Sequence, residues 1–180
     1  IDIMIQIFEV VSYLHSQNVI HRDLKPENFL LKLNKYKKFD IKLTDFGLSV
    51  SKPKNGCKLN EIIGTQKIQA PEVIKGQGYD EKVDEWSLGI IMYNLLTGTE
   101  PFTMIPDMKW NIMFGNINFN AINDVNLRRL TSLLLNRNAL RRISAKEALF
   151  ILLKIRKDNN LFNRIIRQPI DNKKRLNRFL

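Results

Sequence analysis

The run His21-Arg22-Asp23-Leu24-Lys25-Pro26-Glu27-Asn28 constrains this chain more than any other stretch. Asp23 alone would be an ordinary cap or turn residue. That reading leaves Lys25 and Asn28 beside it unexplained. It also ignores Asp45-Phe46-Gly47, which begins 22 residues after Asp23, and Ala70-Pro71-Glu72 beyond that. Three-letter strings recur by chance. Eight consecutive residues followed in order by two further strings point to one designed arrangement.

The surrounding pattern is mostly helical. Ile1, Met4, Ile5, Phe8, Val11 and Leu14 recur every three or four residues, which predicts an amphipathic helix ending near Gln17-Asn18. Asn28–Leu31 and Asp40–Leu43 have strand character and flank a lysine-rich connection, so they predict a hairpin with a long loop. Residues 47–70 have no periodicity. Pro71 suits the first turn of a short helix. Asp80 or Asp84 opens a long helix that stops at Thr97-Gly98, a C-cap signal. Helical patterns return at Asp107–Phe114, Asp124–Leu135 and Ser144–Ile155, the last opened by a Ser144–Glu147 capping box. No internal repeat occurs. One hairpin and six helices make a mainly α lobe.

Composition narrows the class. The 180 residues are 44% hydrophobic and 26% charged, in the range of globular proteins with a core. Leu88–Leu96 is the longest nearly apolar stretch, too short for a membrane span. The start has no basic n-region or cleavage site. The lone Cys57 has no internal partner, which fits a reducing compartment, cytoplasmic or nuclear. The net charge of +11 invites a nucleic-acid reading. The basic residues are dispersed, with short clusters at Lys35–Lys38, Arg141–Arg142 and Lys173–Arg175. No aromatic ladder or zinc-finger spacing accompanies them, so a solvated basic surface is expected and nucleic acid is not an expected partner.

With these segments in order, residues 1–153 resemble the C-terminal lobe of the eukaryotic Ser/Thr protein kinases. The resemblance implies a mainly α, kinase-like lobe with one small β-hairpin, the N-terminal β-rich lobe being absent, and a basic tail at 154–180. It implies ATP and Mg²⁺ as cofactors and protein hydroxyls as acceptors. Phosphoryl transfer needs a hydroxyl held in line with the γ-phosphate and its charge neutralised. Asp23 would accept and aim that hydroxyl, and Lys25 would place a cation by the γ-phosphate. Lysine at this position points to Ser/Thr substrates. The hydroxyl of Thr65 would brace Asp23 and Lys25. Asn28 and Asp45 would give hard oxygen ligands to Mg²⁺. Glu27 completes the cofactor-side group with Lys25, Asn28 and Asp45, and would also attract a basic substrate residue. His21 and Phe46 would stack between the lobes. Asp84 would accept backbone N–H bonds from the catalytic loop, and Glu72 would pair with Arg142.

Arg22 precedes Asp23, where many such kinases bind a phosphothreonine located three residues before the Gly of a Gly-Thr pair. Here that position is Glu61, and no Ser, Thr or Tyr lies between Ser51 and Thr65. Glu61 would stand in permanently for the phosphate, with about one charge where phosphate carries up to two.

The run from Cys57 to Phe102 looks most like the calcium/calmodulin-dependent group, and within it the calcium-dependent protein kinases of plants and protists. Gln168–Asn172 and a basic helix pattern from Lys173 resemble the start of their autoinhibitory junction. No EF-hand loop occurs, so a calcium-sensing segment would belong to a longer parent. Some residues depart from the family pattern. Gln66-Lys67-Ile68-Gln69 lacks the usual aromatic residue, Asn94 replaces a Glu, Lys67 adds a positive charge, and Asn138-Ala139 replaces Asp-Pro. Ile151-Leu152-Leu153 stands where His-Pro-Trp is usual.

No Gly-rich phosphate loop and no strand lysine with its glutamate partner is present, and these hold the α- and β-phosphates. Very weak ATP binding and little turnover by this chain alone are expected, with an apolar contact face near Leu30 and Phe46 left open. The alternative is a half-kinase that keeps the fold and docks partners.

Overall fold

A computed structural model describes residues 1–36, 39–53, 56–102 and 107–167, with side chains of the last helix described as far as Asn159. Helix α1 spans Asp2–Ser16 and buries Met4, Ile5, Ile7, Phe8 and Val11 along one stripe. Each such side chain contributes about 1.5–3 kcal/mol on leaving water. Strands β2 (Phe29–Leu33) and β3 (Phe39–Leu43) pair antiparallel with Leu31 opposite Ile41, giving the expected hairpin. Gln6 fastens it to α1, donating to the Phe39 carbonyl at 2.9 Å and accepting from the Ile41 N–H at 3.1 Å.

A second small sheet was not anticipated. Strands β1 (Val19–Ile20) and β4 (Val50–Ser51) pair antiparallel on either side of the motif-bearing loops. Two residues are too few to show a period of two, so no sequence pattern marks them. They close the base of the segment running from residue 21 to residue 49.

Helix α2 is the short Pro71–Ile74 turn, and α3 runs from Lys82 to Thr97. Every residue from Val83 to Tyr93 is buried, so α3 is the central axis of the lobe. Asp80 lies just ahead of α3 and accepts from the Lys82 N–H at 3.0 Å, while Asp84 lies inside the first turn. The helix ends at Gly98, whose φ of 71° is left-handed and suits a residue without Cβ.

Helices α4 (Met108–Phe114) and α5 (Val125–Leu134) are each capped by the aspartate before them. Asp107 accepts from Lys109 and Trp110, and Asp124 from Asn126 and Leu127. Helix α6 opens with the capping box: Glu147 N–H donates to the Ser144 hydroxyl, and Ser144 N–H donates to the Glu147 carboxylate. It extends to Arg167, beyond the expected Ile155 and across residue 154 without a break. The junction-like residues 168–172 and the basic pattern from Lys173 lie outside the described residues. One core joins α1, α3, α5 and α6, centred on the fully buried Phe8, Trp86, Leu134 and Leu152. Among the described residues no helix is long and apolar enough to cross a membrane.

Candidate functional site

The loop after β1 carries the eight-residue motif, and α3 sets its path. The carboxylate of Asp84 is fully buried and accepts from the N–H of His21 at 2.8 Å and of Arg22 at 2.9 Å. These bonds hold Arg22 at a φ of +70°, a backbone state that costs about 1–3 kcal/mol and clusters at functional positions. Asp45 sits likewise at +61°. Both motif loops therefore carry strain that the packing beneath them sustains.

Asp23 is buried and held from two sides. Lys25 Nζ lies 2.7 Å from Oδ2, and the Thr65 N–H donates to Oδ1 at 2.9 Å. The Thr65 hydroxyl accepts from Lys25 at 3.4 Å. The backbone amide of Thr65 thus joins its hydroxyl, the expected brace, in holding Asp23. Burial alone would raise the Asp23 carboxyl. The hydrogen bonds from Lys25 and Thr65 outweigh it and hold the group below the usual carboxylate range. The same pairing raises Lys25, aided by the fields of Asp45 and Glu27. Asp23 is therefore a poor bulk base, suited to aiming a hydroxyl and taking its proton late.

Asn28 ends a 3₁₀ turn, Pro26–Asn28, and its Nδ2 donates to the Asp23 carbonyl at 2.9 Å. Thr44 donates both its N–H, at 2.9 Å, and its hydroxyl, at 3.1 Å, to the Asn28 carbonyl. Asp45 consequently leaves β3 directly beside Asn28. The bond to the Asp23 carbonyl fixes the Asn28 carboxamide by its nitrogen, and its oxygen is the end chemically suited to a cation. A carboxamide oxygen and a carboxylate suit Mg²⁺, which takes few protein ligands and fills its shell with water and phosphate oxygens. Among the described residues no three His, Cys, Asp or Glu side chains form a metal cage. The residues present fit a nucleotide-borne magnesium.

Arg22 reaches outward from the same loop. Its Nε donates to the Leu48 carbonyl at 2.6 Å and its Nη1 to Glu61 Oε2 at 2.5 Å. The arginine side chain is 7% exposed and the glutamate 65%. Tyr79 completes the cluster: its hydroxyl donates to the Glu61 carbonyl at 2.9 Å and accepts from Arg22 at 3.3 Å. Leu59 and Tyr79 exchange both backbone hydrogen bonds, and Lys58 pairs with Asp80. The segment around Glu61 is therefore ordered against the loop before α3.

The remaining motif residues have these positions. His21 is buried, near the Thr44 carbonyl, and meets the Phe46 ring edge-on at 5.2 Å. Glu72 and Arg142 form a buried bidentate pair. Glu27 is exposed and its field helps raise Lys25. Leu30 and Phe46, each a short step along the chain from Asn28 and Asp45, are 55% and 49% exposed.

Sequence patterns missed four contributors: His15, Glu85, Tyr79 and Gln69. His15 bonds Asp84 at 2.8 Å and lies 3.3 Å from Glu85. Burial alone would lower its pKa, but the two carboxylates push it up to about 10. On a periodicity plot His15 is one more residue of an amphipathic helix, and its partners lie 69 and 70 positions away. Tyr79 and Gln69 read as loop residues, and nothing local marks them.

Residues 1–151 match the family described as protein kinase domain. The chain is 40% identical over 144 residues to an Aurora kinase of Eremothecium gossypii, covering 79% of this chain and 38% of that protein. It is 46% identical over 112 residues to the cGMP-dependent protein kinase, isozyme 2 forms cD5/T2, of Drosophila melanogaster, covering 62% of this chain and 12% of that protein. A serine/threonine-protein kinase of Arabidopsis thaliana, AtPK2/AtPK19, is 42% identical over 97 residues, or 54% of this chain and 20% of that protein. The chain thus spans less than two-fifths of the length of these relatives.

Proposed function

This chain belongs to the protein kinase domain family, and on that premise we propose that it supplies the catalytic half of an enzyme that transfers the ATP γ-phosphate to Ser or Thr hydroxyls of proteins. The observation that carries this is the double hold on Asp23, with Lys25 on one oxygen and the Thr65 amide on the other. Asp23 orients the acceptor hydroxyl and receives its proton as the new oxygen–phosphorus bond forms, while the bond from the γ-phosphorus to the β–γ bridging oxygen breaks and ADP leaves. Lys25 stays charged beside it and offsets negative charge on the transferred group. Mg²⁺, when held by Asn28 and Asp45, neutralises phosphate charge. Proper positioning of these groups supplies most of the rate, since the protein makes no covalent bond in this chemistry.

The groups that grip the other phosphates are not among these residues, so the chain alone binds ATP weakly and turns over little. The exposed Leu30 and Phe46 would then face the rest of the enzyme. The test is phosphate transfer to a Ser/Thr peptide by the full-length protein carrying this chain. Asp23→Asn is expected to lower kcat by about 10²- to 10⁴-fold with KM for ATP little changed. Unchanged kcat in that variant would contradict the assignment.

Glu61 is proposed to order the activation segment without phosphorylation. Its contact with Arg22 and the Tyr79 hydroxyl bond on its carbonyl support this. The closer affiliation we propose is with the calcium-dependent kinases, supported by the Cys57–Phe102 run and by the acidic residue at position 61. Phosphotransfer by the full-length protein that is indifferent to calcium would count against that affiliation.

A further inference from the structure

Gln69 stands between the 3₁₀ turn Gln66–Ile68 and helix α2, with no charge and no motif to mark it. Its Nε2 donates to two backbone carbonyls, of Ile63 at 3.0 Å and of Gly64 at 3.2 Å. The Gly64 carbonyl and the Thr65 N–H belong to one planar trans peptide, so they point in opposite directions. Gln69 holds one end of this unit. Asp23 Oδ1 accepts from the other end at 2.9 Å.

The unit has little slack. Gly64 has a φ of +88°, and a Cβ there would come within 2.7 Å of the Arg22 carbonyl oxygen. The peptide therefore runs hard against the catalytic loop. On the Gln69 side the cavity lined by Ile63, Gln69 and Tyr79 measures about 10 Å³. That is the lower limit for one water, so the half-buried Gln69 packs closely on that side. A donor on the carbonyl also polarises the peptide and strengthens its N–H as a donor.

We propose that Gln69 is a positioning residue for phosphotransfer: its carboxamide fixes the Gly64–Thr65 peptide so that the Thr65 N–H stays on the Asp23 carboxylate. The proposal rests on Asp23 being the catalytic carboxylate. Gln69 touches neither the acceptor hydroxyl nor the nucleotide and acts only through Thr65.

The test follows Thr65 amide exchange and the Thr65 amide chemical shift by NMR in the 180-residue chain. Gln69→Leu removes both donors at similar volume. It is expected to speed Thr65 exchange and to shift the Thr65 amide proton resonance as its hydrogen bond to Asp23 loosens. The Leu59 and Tyr79 amides, which bond each other, keep their protection. Gln69→Met serves as the second donorless variant where the leucine disturbs folding. In the full-length protein the same change is expected to lower kcat about tenfold or more, with KM for ATP unmoved. A folded donorless variant with wild-type Thr65 exchange and amide shift overturns the proposal, whatever its activity. Faster Thr65 exchange with unaltered phosphotransfer overturns the positioning role too, while Asp23→Asn tests the catalytic role of Asp23 separately.

Discussion

Arg142 grips both carboxylate oxygens of Glu72, at 2.7 and 3.0 Å, in a fully buried fork that ties the short helix after the activation segment to the loop before α6. The guanidinium also donates to the carbonyls of Asn136 and Lys82 and lies over the Trp86 ring at 5.2 Å. Removing one member of such a pair strands the other, at about 3–5 kcal/mol. Arg142→Leu is expected to cost more than Glu72→Leu, because it also strands two carbonyls. The double variant recovers only part of the loss. Urea unfolding of the three variants checks the order, and equal single-variant costs would contradict it.

His15 predicts a pH dependence of stability. Its folded pKa, about 10, lies above the usual histidine value near 6.5. A raised folded pKa stabilises fully below the unfolded value and loses that contribution as pH rises toward the folded one. Stability should therefore decline between about pH 6.5 and pH 10 as His15 loses its proton beside Asp84 and Glu85. His15→Gln should flatten that slope and lower stability at pH 7. Denaturant midpoints across this window decide it, and a slope unchanged in His15→Gln would sink the idea.

Glu61→Ala removes the acceptor on Arg22 while leaving the Tyr79 contact to the backbone carbonyl. The expected result in the full-length protein is a loss of activity of about two- to fivefold, the scale of an exposed ion pair of up to about 1 kcal/mol. Glu61→Asp, one methylene shorter, should fall between. Activity of Glu61→Ala equal to wild type would show that the exposed carboxylate does nothing for ordering.

Gly64→Ala places a Cβ within 2.7 Å of the Arg22 carbonyl at a φ of +88°. The left-handed backbone alone costs about 1–2 kcal/mol. Relief of the contact must move either Arg22 or the Thr65 peptide, so activity should fall further than stability does. Parallel measurement of kcat and unfolding free energy tests this, and a loss confined to stability would contradict it.

Much of this was legible because the chemistry is local in sequence. Asp23, Lys25 and Asn28 sit within six residues, and the geometry that joins them is that of one loop and one 3₁₀ turn. The caps at Asp107, Asp124 and Ser144 were legible for the same reason: donor and acceptor lie two or three residues apart. The sheet of β1 and β4 was not, since two-residue strands have no period. His15, Tyr79 and Gln69 act through partners fixed by tertiary packing. Thr65 was found by its neighbour Gly64, and its hydroxyl plays the expected part, but the hold of its amide on Asp23 was not foreseen. A letter names a side chain and says nothing of which way its peptide faces.

The central claim is that Lys25, Asn28 and Asp45 gather with Asp23 around one nucleotide-borne metal. Mn²⁺ with ATP, added to the isotopically labelled chain, tests it through paramagnetic broadening, which registers even weak binding. The strongest broadening is expected at Asn28 and Asp45, with Lys25 next and the Arg142 region unaffected. Broadening centred on any other surface, or none at all with metal and nucleotide in excess, would contradict the account.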